Sequence, residues 1–238
     1  MTADGQSRRH GKRWPAPVYA AIDLGTNNCR LLVARPTDDG FRVIDAYSRI
    51  VRLGEGLAET GRLGEAAMDR TIKALGVCAA KMRRRRVDRA RLVATDACRR
   101  AANRSGFFKR VEAETGLWLE AISSEEEARL GLLGCAPLFA ADKRRALVFD
   151  IGGGSTEVTI VDTDAVHGGN GMRAAGWISL PFGVVGLSER YGGGPMTREN
   201  YGAMVRDVDR ALAPFCARND ISASVRRCEL QILGASGT

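Results

Sequence analysis

Two stretches of this 238-residue chain align without a gap. "DLGTNNCRLLV" begins at Asp23, and "DIGGGSTEVTIV" begins at Asp150, 127 positions later. Asp falls on Asp, Gly25 falls on Gly152, and Arg30 falls on Glu157. Each stretch follows an apolar run and leads into another, so each reads as a β-hairpin with a glycine-rich turn. A chain that makes this device twice, about one domain length apart, is expected to fold as two similar α/β halves. The two hairpins are then expected to face each other across a cleft.

The remaining pattern supports such halves. Residues 18–23, 29–35 and 41–52 read as three successive strands. Glu65 to Arg86 carries apolar residues at three-four spacing and predicts a long amphipathic helix. A strand at 91–95, a helix at 103–116 stopped by Gly116, a strand at 117–122 and a helix from Ser123 follow. The helix at Ser123 has a capping serine and an acidic first turn. The order then restarts. Strands at 145–150, 156–162 and 173–180, with a Gly-rich turn at 168–171, precede helices near 184–191 and 197–217 and a strand at 228–235. Strand runs of this apolarity predict burial on both faces. The expected division is a basic tail at 1–17, a first domain at 18–122 and a second at 123–238.

Composition narrows the chemistry. At 45% apolar residues the chain can bury a real core, and no apolar run reaches the roughly 20 residues of a membrane span. The basic, polar N-terminus lacks the apolar segment of a secretory signal, so a cytoplasmic protein is expected. The six scattered cysteines include no Cys-x-x-Cys pair and read as reduced thiols. With only His10 and His167 present, proton chemistry falls to carboxylates. The net charge of +8 suits a polyanionic ligand. Nucleic acid is not the expected one, because the basic run Lys81–Arg91 has no interleaved aromatic residues for bases to stack on. A solvated helix end explains that run equally well.

The repeated turns carry chemistry as well as shape. Glycine permits close backbone approach and positive φ, and consecutive N–H groups in such a turn cradle an anion. Thr26, Asn27, Ser155 and Thr156 add hydroxyl and amide contacts. The aspartates opening each device, Asp23 and Asp150, can hold hydrated magnesium, which takes one or two carboxylates together with phosphate oxygens. Two such turns suggest a phosphoryl-transfer site. A third strand-to-turn element, "LQILGASGT", closes the chain and brings Gly234, Ser236 and Gly237.

In order, "AAIDLGTNNCRLLVA", "VATDACRRAAN", "AISSEEEARLGLLG", "LVFDIGGGSTEVTIV", "SLPFGVVGLSERY" and "ILGASGT" resemble the exopolyphosphatase/guanosine-pentaphosphate phosphatase (Ppx/GppA) family, a branch of the actin-like ATPase superfamily. The resemblance covers Val18 to Thr238. It implies a ribonuclease H-like fold with two α/β domains facing across a cleft. It also implies a magnesium-dependent hydrolase that removes terminal phosphate from polyphosphate or guanosine pentaphosphate. By position, Glu127 matches the catalytic base, while Asp150 and Glu157 match acids that hold magnesium or orient the water. Asp23 matches the first-loop aspartate. Gly25, Thr26 and Asn27, with Gly152, Gly153, Gly154, Ser155 and Thr156, match the phosphate loops. Arg99 matches an arginine near the phosphate chain, and Arg30 a loop position that is often basic. Glu127 also stands on physical grounds. In a helix's first turn beside other carboxylates, like-charge repulsion raises its pKa while the helix dipole lowers it.

In the family, the last turn leads into further helical chain. The second domain is therefore expected to be C-terminally incomplete, as a shortened product or as a homodimer in which a second copy covers the last strand. Two other functions fit the same turns: a kinase of the superfamily, and a non-catalytic module that binds polyphosphate or a guanosine alarmone.

Overall fold

A computed structural model of the chain describes residues 16–163 and 174–236. The expected turn at 168–171, His10, His167 and Gly237 lie outside the described residues, as does most of the basic tail.

Two sheets form, of five and four strands, with the same order over four of them. The first runs β3-β2-β1-β4-β5 and the second β8-β7-β6-β9. β1 (Tyr19–Leu24), β2 (Asn28–Thr37) and β3 (Gly40–Ile50) make an antiparallel meander, and β4 (Arg89–Ala94) returns parallel to β1. β6 (Arg145–Ile151), β7 (Thr156–Asp162) and β8 (Ala174–Leu180) repeat the meander, and β9 (Leu230–Ser236) returns parallel to β6. This 3-2-1-4 order is the ribonuclease H-like arrangement implied by the resemblance. Register fixes the repeat residue by residue: Asp23 pairs with Arg30, and Asp150 with Glu157.

The helices that the sequence predicts fall close to their expected bounds, and three short ones, Leu57–Thr60, Asp96–Arg100 and Ile221–Arg226, are additions. In the first half they are α1 (Leu57–Thr60), α2 (Glu65–Arg84), α3 (Asp96–Arg100) and α4 (Arg104–Thr115). α5 (Ser124–Cys135) leaves the first sheet and packs on the second. α6 (Val184–Arg190), α7 (Arg198–Arg218) and α8 (Ile221–Arg226) follow. Gly116 stops α4 at φ +72°, a left-handed cap that glycine adopts without steric cost.

The cores follow from alternation. Ile22, Leu24, Leu31 and Val33 turn one face of the first sheet onto Ile72, Leu75 and Cys78 of α2. On the second sheet, Ala146, Val148 and Val161 meet Leu132 of α5, and Val158 and Ile160 meet Phe215 of α7 from the other side. Burial on both faces, predicted for all the strands, therefore holds for β7, where Glu157–Val161 are buried throughout. It fails for β1, where Tyr19, Ala21 and Asp23 are exposed between buried neighbours. Small alanines make β1 look continuously apolar, although only every second residue meets α2. β5 is also shorter than expected, Glu120–Ala121, because it pairs only with Val93 and Ala94. All six cysteines are unpaired. Among the described residues, no helix is long and apolar enough to cross a membrane.

Candidate active site

The two turns are built alike. The Gly25 N–H donates to the Asn28 carbonyl at 2.9 Å, and the Gly152 N–H to the Ser155 carbonyl, also at 2.9 Å. Each closes a four-residue turn at the tip of its hairpin, and the two tips meet. A Cβ built on Gly153 would lie 3.0 Å from the Asn27 nitrogen. One on Gly154 would lie 2.2 Å from an Asp96 carboxylate oxygen. None of the four turn glycines has positive φ. The predicted reason for glycine is thus corrected in part: at Gly153 and Gly154 close approach of the two halves, not left-handed backbone, excludes a side chain.

A third element presses on the second turn. The Val184 N–H donates to the Gly152 carbonyl at 3.0 Å, and the Val185 N–H to the Gly153 carbonyl at 2.9 Å. The first N–H groups of α6, orphaned by helix geometry, are thereby satisfied by the loop. Gly183 makes the approach feasible, since a Cβ there would lie 2.4 Å from the Gly153 backbone.

Between the turns lies a polar cleft lined by Asp23, Arg30, Thr95, Asp96, Glu127 and Asp150 with both sets of loop residues. α5 delivers Glu127. Its N-cap Ser123 hydroxyl accepts from the Glu126 N–H at 3.1 Å, which fixes the first turn. The three successive glutamates then diverge. Glu125 is exposed. Glu126 turns outward to Arg91 and Arg129, which hold its carboxyl at about 2. Glu127 turns into the cleft, and burial, with help from the Glu157 charge, pushes it up to about 7 against the pull of Arg99. Arg99 donates to Glu127 Oε2 at 2.6 Å and to the Ile122 carbonyl at 3.2 Å.

The other carboxylates carry the same strain. Burial raises Asp23, Asp150 and Glu157. Asp23 touches solvent at the cleft floor, yet protein surrounds it on most sides; Arg30 pulls it down and Asp150 pushes it further up. Arg30 also opposes the rise at Asp150. Glu157 is tempered by hydrogen bonds from Ser179 and Ser155. Asp23, Asp96, Glu127 and Asp150 thus line the cleft against Arg30, with Glu157 and Arg99 behind them, a surplus of oxygen donors that suits a hard cation. Among the described residues, no three His, Cys, Asp or Glu side chains cluster as a metal cage. Magnesium needs none, since it keeps several waters and takes one or two carboxylates plus phosphate oxygens. The Thr26 hydroxyl, buried in the cleft without a hydrogen-bond partner among the described residues, is a further polar atom suited to a ligand.

The family model described as the Ppx/GppA phosphatase family matches residues 32–238. This chain belongs to the Ppx/GppA phosphatase family. It is 33% identical over 233 residues to a guanosine-5'-triphosphate,3'-diphosphate pyrophosphatase of Pseudoalteromonas atlantica, covering 98% of this chain and 44% of that protein. A protein of the same name from Photobacterium profundum is 34% identical over 201 residues, covering 84% of this chain and 39% of its own length. The chain therefore spans less than half the length of these curated relatives. Among solved structures, an Aquifex aeolicus Ppx/GppA family member is 34% identical with a TM-score of 0.66, over 84% of this chain and 63% of that one. An exopolyphosphatase from Cytophaga hutchinsonii is 26% identical with a TM-score of 0.78, over 92% of this chain and 67% of that one.

In this Ppx/GppA chain, most residues singled out by sequence converge. Asp23, Gly25, Thr26, Asn27, Arg30, Glu127, Asp150, Gly152, Gly153, Gly154 and Ser155 line the cleft. Glu157 stands behind, bonded to Ser179. Arg99 contacts Glu127 instead of lining the cleft, and the Thr156 hydroxyl donates to the Phe182 carbonyl at 2.5 Å. Gly234 lies within β9, where a Cβ would sit 2.7 Å from the Phe149 ring, so packing and not a turn accounts for glycine there. Ser236 pairs with Ile151 beside the second turn. Sequence reasoning missed Thr95 and Asp96. The available signal was their place directly after an apolar strand, as Asp23 ends "AAID".

Proposed function

We propose that this chain hydrolyses terminal phosphoanhydride bonds in a polyphosphorylated substrate, inorganic polyphosphate or guanosine pentaphosphate. The observation that carries this reading is Glu127: a carboxyl raised to about 7, held by Arg99, at the rim of two facing anion-cradling turns. The backbone N–H groups of the turns and the Thr26 and Ser155 hydroxyls receive the terminal phosphoryl oxygens. Glu127 accepts a proton from water as its oxygen bonds to the terminal phosphorus, and the bridging P–O bond opposite breaks. Arg30 offsets charge on the phosphoryl oxygens. Asp23, Asp150 and Glu157 would hold magnesium, which supplies neutralisation of developing negative charge. Carboxylate catalysis accounts for a factor of about 10²–10⁴.

Orthophosphate release from tripolyphosphate and guanosine pentaphosphate, wild type against Glu127→Gln, tests the reading. Loss of release with retained ligand binding supports it. Release that Glu127→Gln leaves unchanged defeats the mechanism. Binding without release by the wild type supports the sensor alternative.

A further inference from the structure

Asp96 brings a carboxylate against the second phosphate turn. It opens α3, directly after β4, and its side chain is only 12% exposed. The side chain crosses to the opposite half. A Cβ built on Gly154 would lie 2.2 Å from Asp96 Oδ2 and 3.1 Å from its carboxyl carbon. Two guanidiniums of the same helix hold it there: Arg100 donates to Oδ2 at 3.3 Å, and Arg99 Nη2 lies 3.9 Å from Oδ1.

Helix capping does not account for this placement. α3 has five residues, and among the described residues the Asp96 carboxylate accepts no backbone N–H. Neither do its partners cancel its charge. Arg100 is half-exposed, and Arg99 makes its closer bond, at 2.6 Å, to Glu127. Facing it, the Gly153 and Gly154 N–H groups donate no hydrogen bond among the described residues. Donors free to cradle an anion are thus overlooked by a fixed negative charge.

We propose that Asp96 is a specificity-determining residue that admits phosphate as its magnesium complex and turns away the bare anion, resting on the reading above that this cleft takes a terminal phosphoryl group. A metal-free phosphate entering the turn meets a carboxylate of like sign, and like charges brought together exclude the wrong ligand. Arg30 alone among the residues lining the cleft offers a compensating charge. A dication arriving with the phosphate reverses the sign of the encounter, because the same carboxylate then attracts it.

Titration calorimetry tests this without depending on turnover. In the Glu127→Gln background, tripolyphosphate is titrated with excess magnesium and again with EDTA, and the ratio of the two affinities is compared between Asp96 and Asp96→Asn. The amide keeps the shape that packs on Gly154 and removes the charge. Asp96→Asn is expected to tighten metal-free binding about 10- to 100-fold without tightening the magnesium complex, so the ratio collapses by that factor. Asp96→Glu, which keeps the charge, is expected to retain the discrimination. If Asp96→Asn does not fold, Asp96→Ser carries the same comparison. An unchanged ratio, equal tightening or equal weakening in both conditions, or metal-free binding by Asp96→Glu as strong as by Asp96→Asn would overturn the proposal. So would a parent protein that binds tripolyphosphate under neither condition, which defeats the cleft reading as well. Absence of phosphate release by the wild type would defeat the hydrolase reading and leave this comparison of affinities intact.

Discussion

At the scale of single residues, the proposed reaction turns on Glu127, and the charge state of that carboxyl would set a pH dependence. Burial raises it from an ordinary 4.5 to about 7, and a general base works only when ionised. Phosphate release is expected to climb with pH through about 7 and level off above it, as a pH–rate profile will show. The sign at Arg99 follows. That guanidinium lowers the Glu127 value, so Arg99→Met is expected to move the rising limb to higher pH. A limb that stays in place, or moves towards acid, would remove Arg99 from this role. Stability has the opposite slope. The native state holds an extra proton on Glu127 between 4.5 and about 7, so this group's contribution to stability falls as pH rises through that window. Glu127 was legible because three glutamates after a capping serine mark a helix start, and the family resemblance selected one of them. Asp96 was not, since a lone aspartate after a strand has no periodicity to reveal it.

At the scale of elements, short supports do the positioning. α5 aims Glu127 only if its first turn is fixed by Ser123, and Ser123→Ala is expected to cost about 1 kcal/mol of stability, read as a lowered thermal midpoint. α6 has a sharper dependence. Its seat on the second turn passes through Gly183, where a Cβ would lie 2.4 Å from backbone that cannot yield as a flexible side chain would. Gly183→Ala is expected to depress phosphate release and binding together, because it displaces the Gly153 carbonyl that α6 holds. A variant with wild-type affinity for tripolyphosphate would refute that coupling. The long elements were readable from periodicity, and α2 and α4 fell within two residues of their expected ends. α3 and α8, of five and six residues, were not, since one turn of helix leaves too little pattern. The docking of α6 on the loop was equally hidden, because the sequence shows glycines but not which backbone they admit.

For the whole molecule, charge and closure act together. The chain carries a net +8, which draws polyanions, yet four carboxylates, Asp23, Asp96, Glu127 and Asp150, line its cleft against Arg30 alone. Attraction at long range therefore meets repulsion at the site unless a dication enters with the ligand. Tripolyphosphate is expected to raise the thermal midpoint in the presence of magnesium and to lose that effect on chelation with EDTA, since a ligand stabilises by RT ln(1 + [L]/Kd). An equal shift with and without metal would place the phosphate elsewhere. Closure adds a second requirement. The halves touch where Gly154 meets Asp96 and Thr26, and a methyl group at Gly154 would lie 2.2 Å from one and 2.8 Å from the other. Each half keeps its own core, so Gly154→Ala is expected to hold the turns apart while leaving both sheets folded. Its signature would be a near-normal thermal midpoint without ligand, together with loss of the magnesium-tripolyphosphate shift and of phosphate release. If the variant released phosphate at the wild-type rate, contact between the two turns would not be needed for the reaction, and one turn with its own acids would suffice.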